Sequence, residues 1–513
     1  MAALSTAVPA AGPRGAAVSL LPLVVLLLTF VSLTACGVRP PSPDILRFAL
    51  VSMPVTLDPR FATDATSSRI NRLLYQRLVE FDQDDLPVPG LARWERLDAR
   101  HYRFRLRDDA RFSDGTLLTA RDVAATYRHV LDPAHASPHR LALAGIVSIE
   151  VVDDRTVDFH LEKADPLFPG RLGLGILPAR LITSDHPFNR APVGSGPFEF
   201  VAWPAENRLR LRRRRDGQLL EFIAVRDPTV RVLKLLRGEV DMVQNDLPPE
   251  LVRLLRARED IVVRTAPGSN FAYLGFNLTD PHAGRLPVRR AVALAVDRDA
   301  IIRHVLGGAA RPAVGLLPPE HWASDPDLQP LPHDPAQARV LLREAGYGEA
   351  NPLRLTYKTS SDPFRLRLAT IIQQQLAEVG IAVDLKSYDW GTFYGDIKAG
   401  RFQMYSLMWV GIKMPDIYRY VFHSSAVPPA GANRGRYADA ETDRLIEAAE
   451  TAPDLAGQAR YYRRLQARLL DELPYVPLWY EDHVFAARRG IEGYRLARDG
   501  NYDGLAGVVR RGE

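Results

Sequence analysis

The sequence predicts an α/β protein divided into more than one domain, and three observations lead there. The chain has 513 residues, 46% hydrophobic and 25% charged, an ordinary globular composition over a length that exceeds one core, so two or three domains are expected. Between residues 350 and 410 strand-like and helix-like patterns alternate, as a mostly parallel sheet with crossover helices requires. Residues 270–302, NFAYLGFNLTDPHAGRLPVRRAVALAVDRDAII, pass from a strand pattern into two helical ones. Net charge is +5 and the pI near 9.2, a mild bias that argues for neither nucleic acid nor acidic lipid as partner. The 40 prolines and 35 glycines imply many turns, and the single cysteine excludes an intramolecular disulfide framework. No internal repeat, long low-complexity block or heptad run appears.

That cysteine, Cys36, ends an apolar run. Arg14 precedes residues 16–33, which carry Leu20, Leu23, Val24, Val25, Leu26, Leu27 and Leu28, and Leu33-Thr34-Ala35-Cys36-Gly37 follows. The arrangement resembles a bacterial lipoprotein signal peptide: residues 1–35 would be removed and the Cys36 thiol acylated. The alternative is a transmembrane anchor ending by chance in a cysteine. The small residues before Cys36 and the Pro-rich tether over residues 36–43 favour the lipoprotein reading. One acylated terminus holds a protein on a membrane surface, not through it. Gly37, in place of Asp, favours outer-membrane sorting in a host with two membranes.

The segment after the tether opens with a strand pattern, ILRFALV. Thr56-Leu57-Asp58-Pro59 reads as a turn with Asp58 as turn former, and Ser67 is expected to cap a helix carrying Ile70, Leu73, Leu74 and Leu78. Tyr102, Phe104 and Leu106 alternate with Arg103, Arg105 and Arg107 in a half-buried strand. Asp114-Gly115 makes a turn, and Thr119 with Asp122 forms a capping box for a helix from Ala120. His129, His135 and His139 lie around Pro133 and Pro138 with no fixed helical face, so no metal site is expected.

Residues 146–163 give a strand pair. Gly194-Ser195-Gly196-Pro197 is a backbone turn, since Ser195 lacks the spacing of a nucleophile elbow. Arg208, Arg210 and the run 212–215 suggest nucleic-acid binding, but Leu209 and Leu211 interleave at period two, so a strand with a wet cationic face is expected. Residues 229–243 read as a helix stopped by Gly238 and then a short strand.

In the crossing stretch, residues 271–277 form a strand and a loop containing Pro281, Gly284 and Pro287 follows. Val288, Ala291, Val292, Ala295 and Val296 fall at helical spacing, with Arg289 and Arg290 on the wet side, and Asp297 or Asp299 caps a second helix. Further on, a helix closes at Gly346, PLRLTYKTS is a strand, and Ile371, Ile372, Leu376 and Val379 form a stripe ended by Gly380. Ile381, Val383 and Leu385 alternate as a strand.

Several of these segments carry a shared wording. The TLDP turn followed by LYQRLVEFD, the run F-x-L-R-x-x-A-x-F-S-D-G-x-x-x-T-A-x-D-V from Phe104, YLGFN followed by VRRAVALAVDR, QLAEVGIAVDLKSYDWGTFY, and LPYVPLWY together resemble the extracellular solute-binding proteins of ABC importers, in the family that carries peptides and nickel. The resemblance covers residues 56–494. It implies a bilobed periplasmic-binding-protein-like α/β fold (type II, three-domain cluster) with discontinuous domains and an interlobe ligand cleft. Lobe I would comprise residues 44–76, 190–272 and 484–513, an additional domain residues 77–189, and lobe II residues 273–483. The strand over residues 270–277 and the returning strand near Leu478 would be the hinge. The implied function is capture of a peptide or peptide-like solute outside the cytoplasmic membrane by a monomer without cofactor or metal, and delivery to permease subunits. No P-loop is present, so the ATPase is a separate chain.

Implied contacts are Thr63 and Asp64 after the TLDP turn, Asn270 and Tyr273 on the crossing strand, Trp409 as an apolar wall, and Val410 and Gly411 with free backbone groups. One motif departs from the family. Peptide binders carry W-x-x-D-x-x-[DE]-P, whose first aspartate pairs with the peptide α-ammonium; here Trp409-Val410-Gly411-Ile412-Lys413-Met414-Pro415-Asp416 is one residue shorter, with Ile412 at the amine position and Met414 before the proline. A buried ammonium without its partner costs about 2 to 5 kcal/mol, so a free amine is not read there in the usual way. Asp416 either substitutes or caps the helix starting IYRYVF, and Lys413 either meets an anionic ligand group or is solvated. Other function classes are an exported lipoprotein hydrolase, disfavoured by the missing G-x-S-x-G, H-E-x-x-H and free cysteine, a scaffold lipoprotein, and a binder of a non-peptide solute such as a nickel chelate or sugar.

Overall fold

The computed structural model describes residues 45–511, so Cys36 and the apolar run before it lie outside the described residues. β1 (Ile45–Leu50) leads through the TLDP turn to α1 (Ala65–Leu74), which buries Ile70, Leu73 and Leu74. The cap expected of Ser67 belongs to Asp64, whose carboxylate accepts the Ser67 N–H at 2.8 Å, while Ser67 Oγ accepts the Thr56 N–H at 3.1 Å. The physical reason is position: Asp64 is the last extended residue, and Ser67, already in the first turn, supplies the orphan donor.

β2 (Ala92–Asp98), β3 (His101–Leu106), α2 (Ala120–Leu131), β4 (Ile146–Val151) and β5 (Thr156–Leu161) make a second sheet with a helix and a hydrophobic cluster of its own. This antiparallel sheet has the order β2-β3-β5-β4 and packs Phe104, Val123, Tyr127 and Phe159. The Thr119 N–H donates to the Asp122 carboxylate at 2.7 Å, as the capping box requires.

The main sheet has eleven strands. Its further members are β6 (Phe198–Ala205), β7 (Arg208–Arg213), β8 (Leu219–Ala224), β9 (Met242–Gln244) after α3 (Pro228–Leu236), and β10 (Ile261–Phe276), which precedes α4 (Leu286–Ala295). Then come β11 (Ala310–Pro312), β12 (Leu353–Ser360), α5 (Pro363–Glu378), β13 (Ile381–Tyr388), β14 (Met404–Trp409), α6 (Ile417–Phe422) and β15 (Tyr475–Arg488). The order is β13-β12-β14-β10-β15-β9-β1-β8-β7-β6, with β11 also paired to β15.

The expectation of a mostly parallel sheet is corrected to a mixed one. β1 runs parallel to β8 and β9, and β12 parallel to β13 and β14, but β6-β7-β8 is an antiparallel meander and β10 and β15 pair antiparallel with each other. The meander follows from short turns such as Asp216-Gly217, which join only antiparallel strands. β10 and β15 are antiparallel because the chain leaves one end of the sheet along β10 and returns along β15. Their ladder breaks between Ala266 and Asn270, where a Cβ on Gly268 would lie 2.1 Å from the Glu481 carbonyl oxygen.

On either side of that break sit separate cores. One packs Phe48, Leu209, Leu211, Phe222 and Phe485; at the other end Leu274, Phe276, Val292 and Ile372 cover one sheet face, and Phe271, Tyr273, Tyr405, Tyr418 and Tyr480 the other. Two arginines expected in water are buried. Arg289 donates to the carbonyls of Glu472 (2.7 Å) and Leu473 (2.9 Å), satisfying a helix C-terminus. Arg213 shares a face with Leu209 and Leu211 by period-two alternation and pairs with Asp216. Arg208 and Arg210 both reach the buried Glu221. Among the described residues no helix is long and apolar enough to cross a membrane.

Candidate ligand-binding site

β14 organises the site. Along one edge residues 404–409 pair with β10, but on the other edge only Met404 and Tyr405 pair with β12, which continues alongside β13 to Ser360. The two strands fork, and a cavity of about 160 Å³ fills the fork between Thr359 and Ser360 on one side and Ser406 and Met408 on the other, floored by Trp479. The edge of β14 beyond Tyr405 therefore presents backbone groups with no ladder partner to that cavity, the geometry in which an extended chain adds to a sheet.

Past Trp409 the chain leaves the sheet at Gly411, whose φ of +68° is the left-handed region that glycine enters without strain. Val410 and Gly411 there line a second cavity of about 330 Å³. Its opposite wall is the loop after the TLDP turn (Ala62, Thr63, Ala65) and the side of α1 that carries Ser68, Arg69, Asn71 and Arg72. Four cations line it, Arg69, Arg72, Arg77 and Lys413, against one carboxylate, Asp499. Lys413 Nζ lies 2.6 Å from Asp499 Oδ2. Burial pushes the Asp499 carboxyl up, but Lys413 and Arg72 outweigh it and hold it down at about 2.

The sequence-derived candidates separate accordingly. Thr63, Val410 and Gly411 come together around the larger cavity. Asp64 is beside it, with its carboxylate spent on the α1 cap. Trp409 has the Arg434 guanidinium 4.9 Å over its ring, and Arg434 also donates to the hydroxyls of Tyr273 and Tyr394. Tyr273 is fully buried, stacked on Tyr475 at 3.9 Å, because Phe271 and Tyr273 share the strand face that turns into the tyrosine-rich core. Asn270 is buried at the ladder break with its Oδ1 unpartnered. Neither lines the two cavities.

Ile412 is buried in the same tyrosine-rich core. Asp416 makes no cap bond to α6; its carboxylate pairs with Arg171 Nη1 at 2.7 Å, and Arg171 also holds Asp165 at 2.6 Å. Lys413 is thus not solvated and Asp416 is not a cap, because each finds a partner far along the chain. His129 and His135 stack at 3.6 Å, and no cluster of three metal-ligating side chains occurs among the described residues.

Sequence reasoning missed Arg69, Asn71, Arg77, His139 and Asp499. A signal existed for Asn71: it falls beside Ile70 and Leu74 on the half-buried side of α1, where an amide is out of place unless something meets it.

The comparisons with known proteins bear on this geometry. Residues 87–427 match the family of bacterial extracellular solute-binding proteins, family 5 (middle). The chain is 26% identical to a dipeptide-binding protein of Pseudomonas aeruginosa over 496 residues, covering 88% of this chain and 92% of the relative. The structure of DppA from Helicobacter pylori in complex with peptide STSA superposes with a TM-score of 0.79 at 26% identity, over 91% of this chain and 98% of that one. NikZ from Campylobacter jejuni, in complex with Ni(L-His), gives a TM-score of 0.81 at 24% identity over 91% and 99%, a likeness of fold alone. The fold is thus the bilobed type II binding-protein architecture, and the chain is a binding protein and not an enzyme. It belongs to the bacterial extracellular solute-binding proteins of family 5.

Proposed function

We propose that this chain is the substrate-binding lipoprotein of an ABC importer and that it captures a peptide or peptide-like solute between its lobes. The observation that carries the peptide reading is the open edge of β14, which leads from the fork at Ser360 to the cavity at Gly411. Backbone pairing along it is indifferent to side-chain identity, which suits a binder of varied peptides. Val410, Gly411 and Thr63, which line the larger cavity, contact the solute. Relatives named for dipeptide binding support the same class.

Lobe I comprises residues 44–76, 190–272 and 484–513, the additional domain residues 77–189, and lobe II residues 273–483. Supporting this division are the separate cores and the ladder break between Ala266 and Asn270, which also moves the proposed hinge to the start of the 270–277 strand. Closure about a few hinge strands buries the solute. Cys36 is acylated and tethers a monomer to the membrane surface in the periplasm or cell envelope, from which it delivers the solute to permease subunits served by a separate ATPase. Mass spectrometry on gently purified protein tests the reading: a co-purifying peptide-like molecule of a few residues is expected, and a sugar or a nickel chelate as the sole occupant overturns it.

A further inference from the structure

The cavity between α1 and Gly411 holds buried polar atoms that have no partner. Asn71 is 5% exposed, lines the cavity, and leaves both its Nδ2 and its Oδ1 unbonded. Arg77 is 8% exposed, also lines it, and leaves its Nε–H unbonded. His139 also lines it and leaves its Nε2 unbonded. Burial costs such groups about 1–3 kcal/mol each when nothing meets them, and all three belong to residues that line this one cavity.

The charge around them gives that occupant its sign. Outside the lining, Glu80 serves Arg72 and Arg77, and Asp503 serves Arg72; inside it, Asp499 serves Lys413. Arg69 has no carboxylate partner among the described residues and rests over the Tyr502 ring at 5.5 Å. The cavity therefore has one cation in excess. Along the facing segment no free carboxylate answers that charge: Ile412 is apolar and buried in the tyrosine-rich core, and Asp416 is already held by Arg171.

We infer that this cavity is an oxyanion-binding subsite, so that the solute of the proposed function is an amine-blocked, anionic peptide-like molecule whose carboxylate or phosphate is met by Arg69, Arg77 Nε–H and Asn71 Nδ2–H. Asn71 Oδ1 and His139 Nε2, both acceptors, take amide N–H groups adjoining that anion. Charge-assisted bonds of this kind are about twice as strong as neutral ones, and they reverse the usual preference for an ammonium.

The inference rests on the peptide reading and is tested so that the two fail separately. Calorimetry compares N-succinyl-Ala-Ala, N-acetyl-Ala-Ala and free Ala-Ala on wild type, Arg69→Gln and Asn71→Leu, with thermal unfolding checking that each variant folds. Glutarate and inorganic phosphate, each alone at matched ionic strength, are added to the melting measurement. The succinyl form is expected to bind at least tenfold more tightly than the acetyl form and the free dipeptide weakest. Arg69→Gln is expected to reduce the succinyl preference to under threefold while leaving the acetyl form within twofold, and Asn71→Leu, which also removes an acceptor for the amide N–H, to reduce the preference while weakening the acetyl form as well. A preference for the free amine, equal binding of all three, or a succinyl preference untouched by both variants overturns the inference and leaves the peptide reading standing. If no dipeptide binds but glutarate or phosphate stabilises wild type and not Arg69→Gln, the subsite stands and the peptide reading falls; if no oxyanion, tethered or free, binds, the subsite falls as well. The larger of the two free-anion shifts identifies carboxylate or phosphate.

Discussion

Replacing Lys413 by methionine should open the protein without unfolding it. Lys413 lies in proposed lobe II and Asp499 in proposed lobe I, their charged atoms are 2.6 Å apart, and their side chains are 19% and 6% exposed. Burying two charges nearly cancels their attraction, so the intact pair adds little, but removing one partner strands the other at about 3–5 kcal/mol. Asp499 keeps the Asn501 N–H at 3.0 Å and the Arg72 field, which puts the cost at the lower end, about 3 kcal/mol or a hundredfold. When the lobes part, Asp499 regains water, so the cost falls on closure alone. Lys413→Met should therefore weaken binding of the co-purified solute about a hundredfold in calorimetry and leave the urea midpoint unchanged. Lys413→Met with Asp499→Leu should recover at least half of the loss in free energy, since an apolar pair needs no counter-charge. Affinity within threefold of wild type in the single variant, or a double variant no better than the single, would refute the reasoning.

Cys36→Ala should abolish metabolic labelling with a fatty-acid analogue and release the protein from membranes, with solute affinity unchanged; labelling that persists would mean that Cys36 is not the acylated residue. Because Asp416 is committed to Arg171, which retains Asp165, acetylating a bound dipeptide should change its affinity equally in wild type and Asp416→Asn. An acetylation penalty seen in wild type and absent in the variant would put the amine on Asp416 after all. Burial holds the His321 imidazole down at about 4 against an ordinary 6.5; the neutral ring accepts the Ala323 N–H and donates to the Lys413 carbonyl. The folded state then binds fewer protons than the unfolded one, so this stabilisation is complete above pH 6.5 and lost as pH falls toward 4, by up to about 3 kcal/mol. Urea titrations should lose less stability between pH 7.5 and 4.5 in His321→Gln than in wild type, and equal losses would contradict the assignment.

What the sequence made legible was local. The alternation over residues 101–106, the Thr119–Asp122 box, the stops at Gly238 and Gly380 and the crossing strand all depend on neighbours within a few residues, and the structure contains each of them. The misreadings share one cause. Arg289 looks wet on a helical projection because its acceptors, Glu472 and Leu473, lie more than 180 residues away. Lys413 and Asp416 look solvated or capping because Asp499 and Arg171 come from other parts of the fold. Tyr273 alternates correctly, but a period of two cannot say which face meets a core and which a cleft. The family motif drew attention to residues 409–416, of which Val410, Gly411 and Lys413 line the larger cavity. The cations that line the cavity come from α1 (Arg69, Arg72), the segment after it (Arg77) and Lys413 far along the chain, which no single motif joins.

Small-angle X-ray scattering on stripped and reloaded protein tests most directly the claim that two lobes close on a solute. The account predicts that adding back the solute recovered from the purified protein lowers the radius of gyration, and that Lys413→Met needs about a hundredfold more solute for the same change. Superimposable curves with and without bound solute, at concentrations where calorimetry confirms saturation, would contradict it.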